Sequence, residues 1–351
     1  MELWVGTYTH ALGGMDASGA GIYSVSFNSE SGAFGSPKLQ ADCVNPSALC
    51  LSPDGRTLFA GREVFACDAP ALLSFDVTQS GGLVERSRLP LSGELPCHLA
   101  FDAQHGRLAS AQYWTGDVAH CAVRNGALQP EPSYFKRTGN GPNVTRQEGP
   151  HAHFVAFSNQ GEVLHLVDLG TDSIISHRMN DTDEADECAT LTLPAGCGPR
   201  HMVLTTDESR AFVFCELDES LISLSRAGLG WKVLNVQPGF PAPEGEDGSG
   251  AAIRLSPDER FLYISGRRQS SIACFALGVT AKPVGLAACG GLSPREFIVT
   301  ADGRWVIVAN QNSNTLTSLK RNQSTGQLTL SGHLCLINSP VALVEKTESQ
   351  E

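Results

Sequence analysis

The chain has 351 residues, of which 41% are hydrophobic and only 18% charged, and its formal net charge is −12. That is enough apolar material for a substantial core, and the acidic balance argues against a nucleic-acid partner, because such binding rests on basic patches that neutralise phosphates. No apolar run approaches the roughly 18 residues of a membrane helix; the opening MELWVGTYTH lacks the basic and long apolar segments of a secretory leader; and eleven scattered cysteines without a CxxC pair read as free thiols of a cytoplasmic protein.

The elements follow in chain order. ELWVGTYT and GIYSVSF, near the N-terminus, are two short strand-like runs. From Asn45, NPSALCLSPDGRTLFAGREV reads as strand, tight turn, strand, and ALLSFDV and LVERSRLPL supply a third and a fourth strand. The pattern returns at Leu95 (LPCHLAFDAQHGRLASAQYW), Gly149 (GPHAHFVAFSNQGEVLHLVDLG), Gly198 (GPRHMVLTTDESRAFVFCELD), Ser249 (SGAAIRLSPDERFLYISGRRQ) and Ser293 (SPREFIVTADGRWVIVANQN). A shortened copy, SPVALVE, begins at Ser339. Repeats of four strands at a period of about 50 residues predict an all-β, seven-bladed β-propeller with four antiparallel strands per blade. SPVALVE would share a blade with the two N-terminal strands and so close the ring, making residues 1–351 a single domain. A closed ring buries its own edges, so a monomer or weak homo-oligomer is expected. NDTDEADE (180–187) and PAPEGEDGSG (241–250) read as solvated loops between strands.

In an antiparallel hairpin the start of the first strand and the end of the second lie at the same end. Residues there would converge on one mouth of the channel. The first-strand starts carry His98, His151, His153, Arg200, His201, Arg254 and Arg295. The second-strand ends carry Arg62, Glu63, Tyr113, Trp114, Asp168, Glu216, Asp218, Arg267, Arg268, Asn310 and Gln311, with Arg146–Glu148 just upstream of GPHAH. The opposite turns, SPDG, SNQG, SPDE and TADG, are generic. Each polar residue at the mouth could simply be solvated. As a group, arginines and histidines gathered in an acidic chain point to a small anionic ligand, since Arg suits bidentate capture of carboxylate or phosphate. His151 and His153, two apart, would share one side of a regular strand, with His151 at the entrance and His153 deeper, making a channel hydrogen bond. A zinc site would need a third ligand, for which only Asp168 or His201 offers itself.

From VGTYT and GIYSVSF through RQEGPHAH, GCGPRHMV, FCELDESL and LYISGRR to SPREF and VANQNSN, the chain resembles the seven-bladed lactonase family, which includes bacterial 6-phosphogluconolactonase and fungal carboxy-muconate cyclase. RQEGPHAH followed by GPRHMV and ELD is the specific part; SPDG occurs in many propellers. The resemblance implies a catalytic set of His151, Arg200, Glu216 and Arg267 and a site without metal or cofactor. The chain departs from the family at Cys215, where Asn is usual, and at Ala252, where an acidic residue is common.

Opening a lactone requires activated water, a stabilised oxyanion and a held ring. Glu216 and His151 are candidate general bases, Arg200 would polarise the carbonyl, and Arg267 would hold a substrate anion. Arg146, His153, His201, Arg295 and Gln311 complete the expected substrate contacts. The expected reaction is hydrolysis of 6-phosphogluconolactone to 6-phosphogluconate in the pentose phosphate pathway. A carboxylated lactone suits the same arginines. A non-catalytic protein-binding propeller and a metal-dependent gluconolactonase are readings of other classes, the first calling for a large apolar face and the second for an axial carboxylate cluster.

Overall fold

The computed structural model of the chain describes residues 1–13, 17–180, 185–241 and 248–346. Among these the only helical element is a 3₁₀ turn, Ala66–Asp68; no helix is long and apolar enough to cross a membrane. Seven antiparallel sheets account for the rest, one for each sequence repeat. Of the two stretches read as loops, residues 181–184 and 242–247 lie outside the described residues. Asp186 and Glu187 are not loop residues but belong to the strand Ala185–Thr192.

Contacts divide the chain into two compact units. One holds Met1–Cys43, His201–Leu224 and Val233–Lys346; the other holds Val44–Arg200 and Ser225–Lys232. In the first, Pro340–Glu345 pairs with Glu2–Thr7, which pairs with Ile22–Ser26 and then Lys38–Ala41, so the two ends of the chain share a sheet as the sequence predicts. Leu3, Val5, Trp305, Ile307 and Leu343 pack together behind it. The other unit contains three consecutive sheets, beginning with Pro46–Leu51, Pro96–Asp102 and Ala152–Phe157. In the middle one the fourth strand is broken into Ala127–Leu128 and Ser133–Phe135.

Burial explains the strand sequences. Second strands such as Arg107–Gln112, Val163–Asp168, Phe261–Gly266 and Trp305–Asn310 are buried at every position, and read as near-continuous apolar or small-residue runs. Fourth strands such as Gly230–Pro238 and Leu328–Leu336 expose much of one face and alternate accordingly.

Two local devices recur. At the turn end of the hairpins, a Ser or Thr hydroxyl bonds an Asp two residues on, as in Ser52–Asp54, Thr205–Asp207, Ser256–Asp258 and Thr300–Asp302. The next residue is left-handed: Gly55 and Gly303 in two turns, Glu208 and Glu259 at φ 53 and 51 in the others. At the other end, the residue following the second strand sends its N–H back to the carbonyl just before the first. Tyr8, Glu63, Tyr113, Leu169, Arg267 and Gln311 do this at 2.9–3.2 Å. Beside that bond the first strand bulges: the register slips at Ser47, Cys97, His153 and Arg295, and across Ala251–Ala252. A bulge re-aims its side chain, so the regular alternation expected for His151 and His153 does not hold; the strand begins at Ala152 and His153 is the bulged residue.

Candidate active site

The recurring bulge and backbone bond define two positions, the second residue of the first strand and the residue after the second strand, and the same count finds both in the hairpin of Arg200 and Glu216. Arg200, like Arg295, follows the proline that opens its first strand, the place His153 takes after Ala152. Glu216 directly follows its second strand, as Tyr8, Tyr113, Arg267 and Gln311 follow theirs. Eight of the residues expected at the mouth occupy one of these two positions: His153, Arg200 and Arg295 in the first strands, and Glu63, Tyr113, Glu216, Arg267 and Gln311 after the second. Arg254 does not: it is the fifth residue of Gly250–Leu255, far from the strand start, and pairs with Glu296 at 2.8 Å. His98 is also inside its strand, its ring against Phe154 at 4.1 Å.

His151 is buried and closely held. Its N–H donates to Asp168 Oδ1 (2.8 Å), its Nδ1 lies 2.9 Å from the Tyr113 carbonyl, and its Nε2 is 3.3 Å from Glu148 Oε1. The Tyr113 ring stacks on it at 4.7 Å and meets His153 edge-on at 5.5 Å. Arg146 donates to the Tyr113 hydroxyl at 3.3 Å, and the Cys97 thiol lies 3.9 Å from His153 Nδ1. A carbonyl oxygen only accepts, so Nδ1 carries the proton and Nε2 is the basic nitrogen of the neutral ring. Hydrogen bonding from its own backbone N–H, joined by His151 Nε2–H only when the ring is the imidazolium, holds the Glu148 carboxyl below the usual range. Burial raises that of Asp168, although His151, Gly170 and Thr171 all donate to it. With its oxygens so occupied Asp168 is a brace for the His151 backbone, and among the described residues no three His, Cys, Asp or Glu side chains form a metal site.

Arg200 is buried, and the loop leading to it is pinned by Asp172, a residue the sequence reading passed over. Asp172 Oδ2 accepts from Gly196 N–H (2.6 Å), and Oδ1 from Gly198 N–H and Gln147 Nε2 (both 2.8 Å). One buried carboxylate thus fixes both GCGPRH and RQEGPHAH. The only sequence signal was an Asp in the tight turn after a second strand.

Glu216 is buried and paired with Arg267, whose Nη2 lies 3.0 Å from Oε2. Arg267 also donates to the Ser249 and Gly250 carbonyls at 3.2 and 3.1 Å. The guanidinium expected to hold substrate is therefore first of all the partner of Glu216. Buried Glu219 supports the pair, accepting from Ser249 N–H (2.9 Å) and Gln269 Nε2 (2.6 Å) and pairing with Arg268 at 3.4 Å. In the same unit Arg295 donates to the Tyr8 hydroxyl at 2.7 Å and lies over its ring at 5.1 Å. Gln311 and His201 are buried. Tyr8 was also missed, though counting one residue past the second strand would have found it.

Comparison with known proteins places this arrangement. A family model described as "Lactonase, 7-bladed beta-propeller" matches residues 2–345. The chain is similar to the 6-phosphogluconolactonase of Bacillus subtilis, with 29% identity over 97% of each chain, and to that of Formosa agariphila, with 26% identity over 93% of this chain and 94% of the other. Among solved structures it is similar to the periplasmic gluconolactonase of Pseudomonas aeruginosa, with 28% identity, a TM-score of 0.88 and 98% of each chain covered. A match across essentially the whole chain, together with seven antiparallel sheets, shows that this chain belongs to the lactonase family of seven-bladed β-propellers.

Proposed function

We propose that the chain opens 6-phosphogluconolactone to 6-phosphogluconate, a step of the pentose phosphate pathway. Full-length similarity to a 6-phosphogluconolactonase supports the substrate. The observation that carries the chemistry is the imidazole of His151, whose Nδ1 is committed to the Tyr113 carbonyl at 2.9 Å. Nε2 takes a proton from water as its oxygen attacks the lactone carbonyl, and Arg200 steadies the oxyanion. The carbon–oxygen ring bond then breaks, and the proton passes from the imidazolium to the departing ring oxygen. Water is added across the ester, and the acid formed ionises. Glu148, next to Nε2, offsets the imidazolium charge. Arg146 and His153, in the same unit as His151 and Arg200, take up the phosphate and hydroxyls.

The expected result is hydrolysis of fresh 6-phosphoglucono-δ-lactone well above its spontaneous rate, followed by coupling to 6-phosphogluconate dehydrogenase and indifferent to EDTA. Arg200→Ala and His151→Asn each lose about 10²–10⁴-fold in kcat/KM while remaining folded. Wild-type turnover in either variant removes that residue from the mechanism. A second reading, an unphosphorylated gluconolactone, is favoured by the similarity to the Pseudomonas gluconolactonase; equal kcat/KM for lactones with and without phosphate would select it. We also propose a single domain, supported by the family match from residue 2 to 345, and a cytoplasmic location, supported by eleven cysteines that are all free thiols.

A further inference from the structure

The chain has four tryptophans. Trp4, Trp231 and Trp305 are 0%, 5% and 3% exposed; Trp114 is 50% exposed. It lies beside the candidate base, its ring centroid 6.4 Å from that of His151. Nor is it a loose surface side chain. Its backbone N–H donates to the Glu94 carbonyl at 3.2 Å, fixing the Cα, and Phe65 meets its ring edge-on at 5.5 Å. The turn that follows is locked onto the His151 segment: at Gly116, with φ +70, an added Cβ would fall 2.4 Å from the Pro150 carbonyl oxygen. A large aromatic surface, backed by Phe65 on a fixed backbone, is thus open to solvent next to the imidazole, and Arg146 and Glu148 lie just before His151 in the chain.

We propose that Trp114, backed by Phe65, is the platform on which the six-membered ring of a sugar lactone stacks. The inference rests on the proposed function and adds the feature of the substrate that is recognised. The face of a sugar ring that presents its C–H bonds is apolar and carries slightly positive hydrogens, which suit the negative face of an indole. Covering that indole also removes apolar surface from water. Hydrolysis opens the ring and destroys the flat face, so the platform holds substrate and releases product.

Because the other three indoles are buried, changes in intrinsic fluorescence report chiefly on Trp114. Two probes separate ring from chain: glucose 6-phosphate, a six-membered ring with no lactone to open, and 6-phosphogluconate, the open product. The expected result is a saturable blue shift and quench with glucose 6-phosphate, about tenfold weaker affinity for 6-phosphogluconate, and loss of the signal in Trp114→Phe. In the lactonase assay, Trp114→Ala raises KM about tenfold, with kcat changing much less, and Trp114→Phe restores most of the loss. Emission unchanged by either sugar, or an unchanged KM in Trp114→Ala, overturns the proposal. The two readings fail separately. A ring-selective fluorescence response without lactone hydrolysis keeps the platform and sinks the proposed reaction. Hydrolysis with no response does the reverse.

Discussion

The two ends of each hairpin divide the work differently. At the turn end, one solution recurs in four hairpins: Ser or Thr to Asp two residues on, then a left-handed residue. At the other end only the backbone recurs, as the bond from the residue after the second strand to the carbonyl before the first. The side chains there are Tyr8, Glu63, Tyr113, Leu169, Arg267 and Gln311, and Glu216 stands at the same count past its own second strand. When main-chain bonds alone hold a position, its side chain is free to be chosen for chemistry. When the side chain itself makes the turn, it is not. This is why the turns resemble one another and say least about function.

The largest break in this comparison should come at Asp172, where a side chain does structural work at the site end. Asp172→Ala leaves the Gly196 and Gly198 N–H groups and the Gln147 amide without their buried acceptor. The cost is about 3 kcal/mol of stability, read as a fall in the denaturant midpoint. Activity should fall about 10²-fold as well, since Gly198 leads into Arg200 and Gln147 into His151. Asp172→Asn keeps one acceptor oxygen and should recover part of kcat. Full activity in the Ala variant would show that the two loops hold themselves.

The fold was legible because the repeat is read by strand periodicity, which burial imposes on every copy. Even the blade shared by the two chain ends was visible, since SPVALVE lacks a partner of its own and ELWVGTYT lacks a first strand. The site was legible only as a neighbourhood. The bulge has no local signature: Ser47, Cys97, His153 and Arg295 share no chemistry, so His151 and His153 were read on a regular strand. Arg254 was misread because the copy at Ser249 lacks the opening proline that marks most other first strands, and its bulge is longer. Asp172 and Glu219 escaped because their partners are mainly backbone N–H groups and amides brought close by the fold, a relation no spacing reveals.

A smaller effect, dependent on pH, comes from the middle of a strand, away from both hairpin ends. His165 is buried, with Nδ1 at 2.9 Å from Ser176 Oγ and Nε2 at 3.2 Å from Arg226 Nη1. Burial, and then the Arg226 charge, push its pKa down from 6.5 to about 3. Between those values the unfolded chain binds a proton that the folded chain refuses, so stability is lost as pH falls through 6.5 and continues to fall toward 3. Buried His177, shifted in the same direction, adds to this loss. Denaturant midpoints should drop from pH 7 to pH 5, and His165→Asn should flatten that drop while leaving kcat/KM at pH 7 intact. An unchanged profile would mean that other groups govern the acid limit.

The smallest effect tests the turn end directly. Ser52 Oγ donates to Asp54 Oδ1 at 2.5 Å and accepts from Thr57 N–H at 2.9 Å. Ser52→Ala removes both bonds, but Gly55 still donates to the Ser52 carbonyl at 2.8 Å, so the turn survives. The expected cost is about 1 kcal/mol, with kcat/KM unchanged. Thr205→Val, in another sheet, removes the bonds to Asp207 and Arg210 N–H and should cost a similar amount. The two share no partner, so the double variant should lose about 2 kcal/mol, the sum of the single losses, again at full activity. If either substitution lowers kcat/KM, the turns are not passive, and strain at one end of a hairpin is felt at the other. If both leave it untouched while stability falls additively, the hairpin is a rigid lever arm whose turn supplies stability and whose open end supplies chemistry.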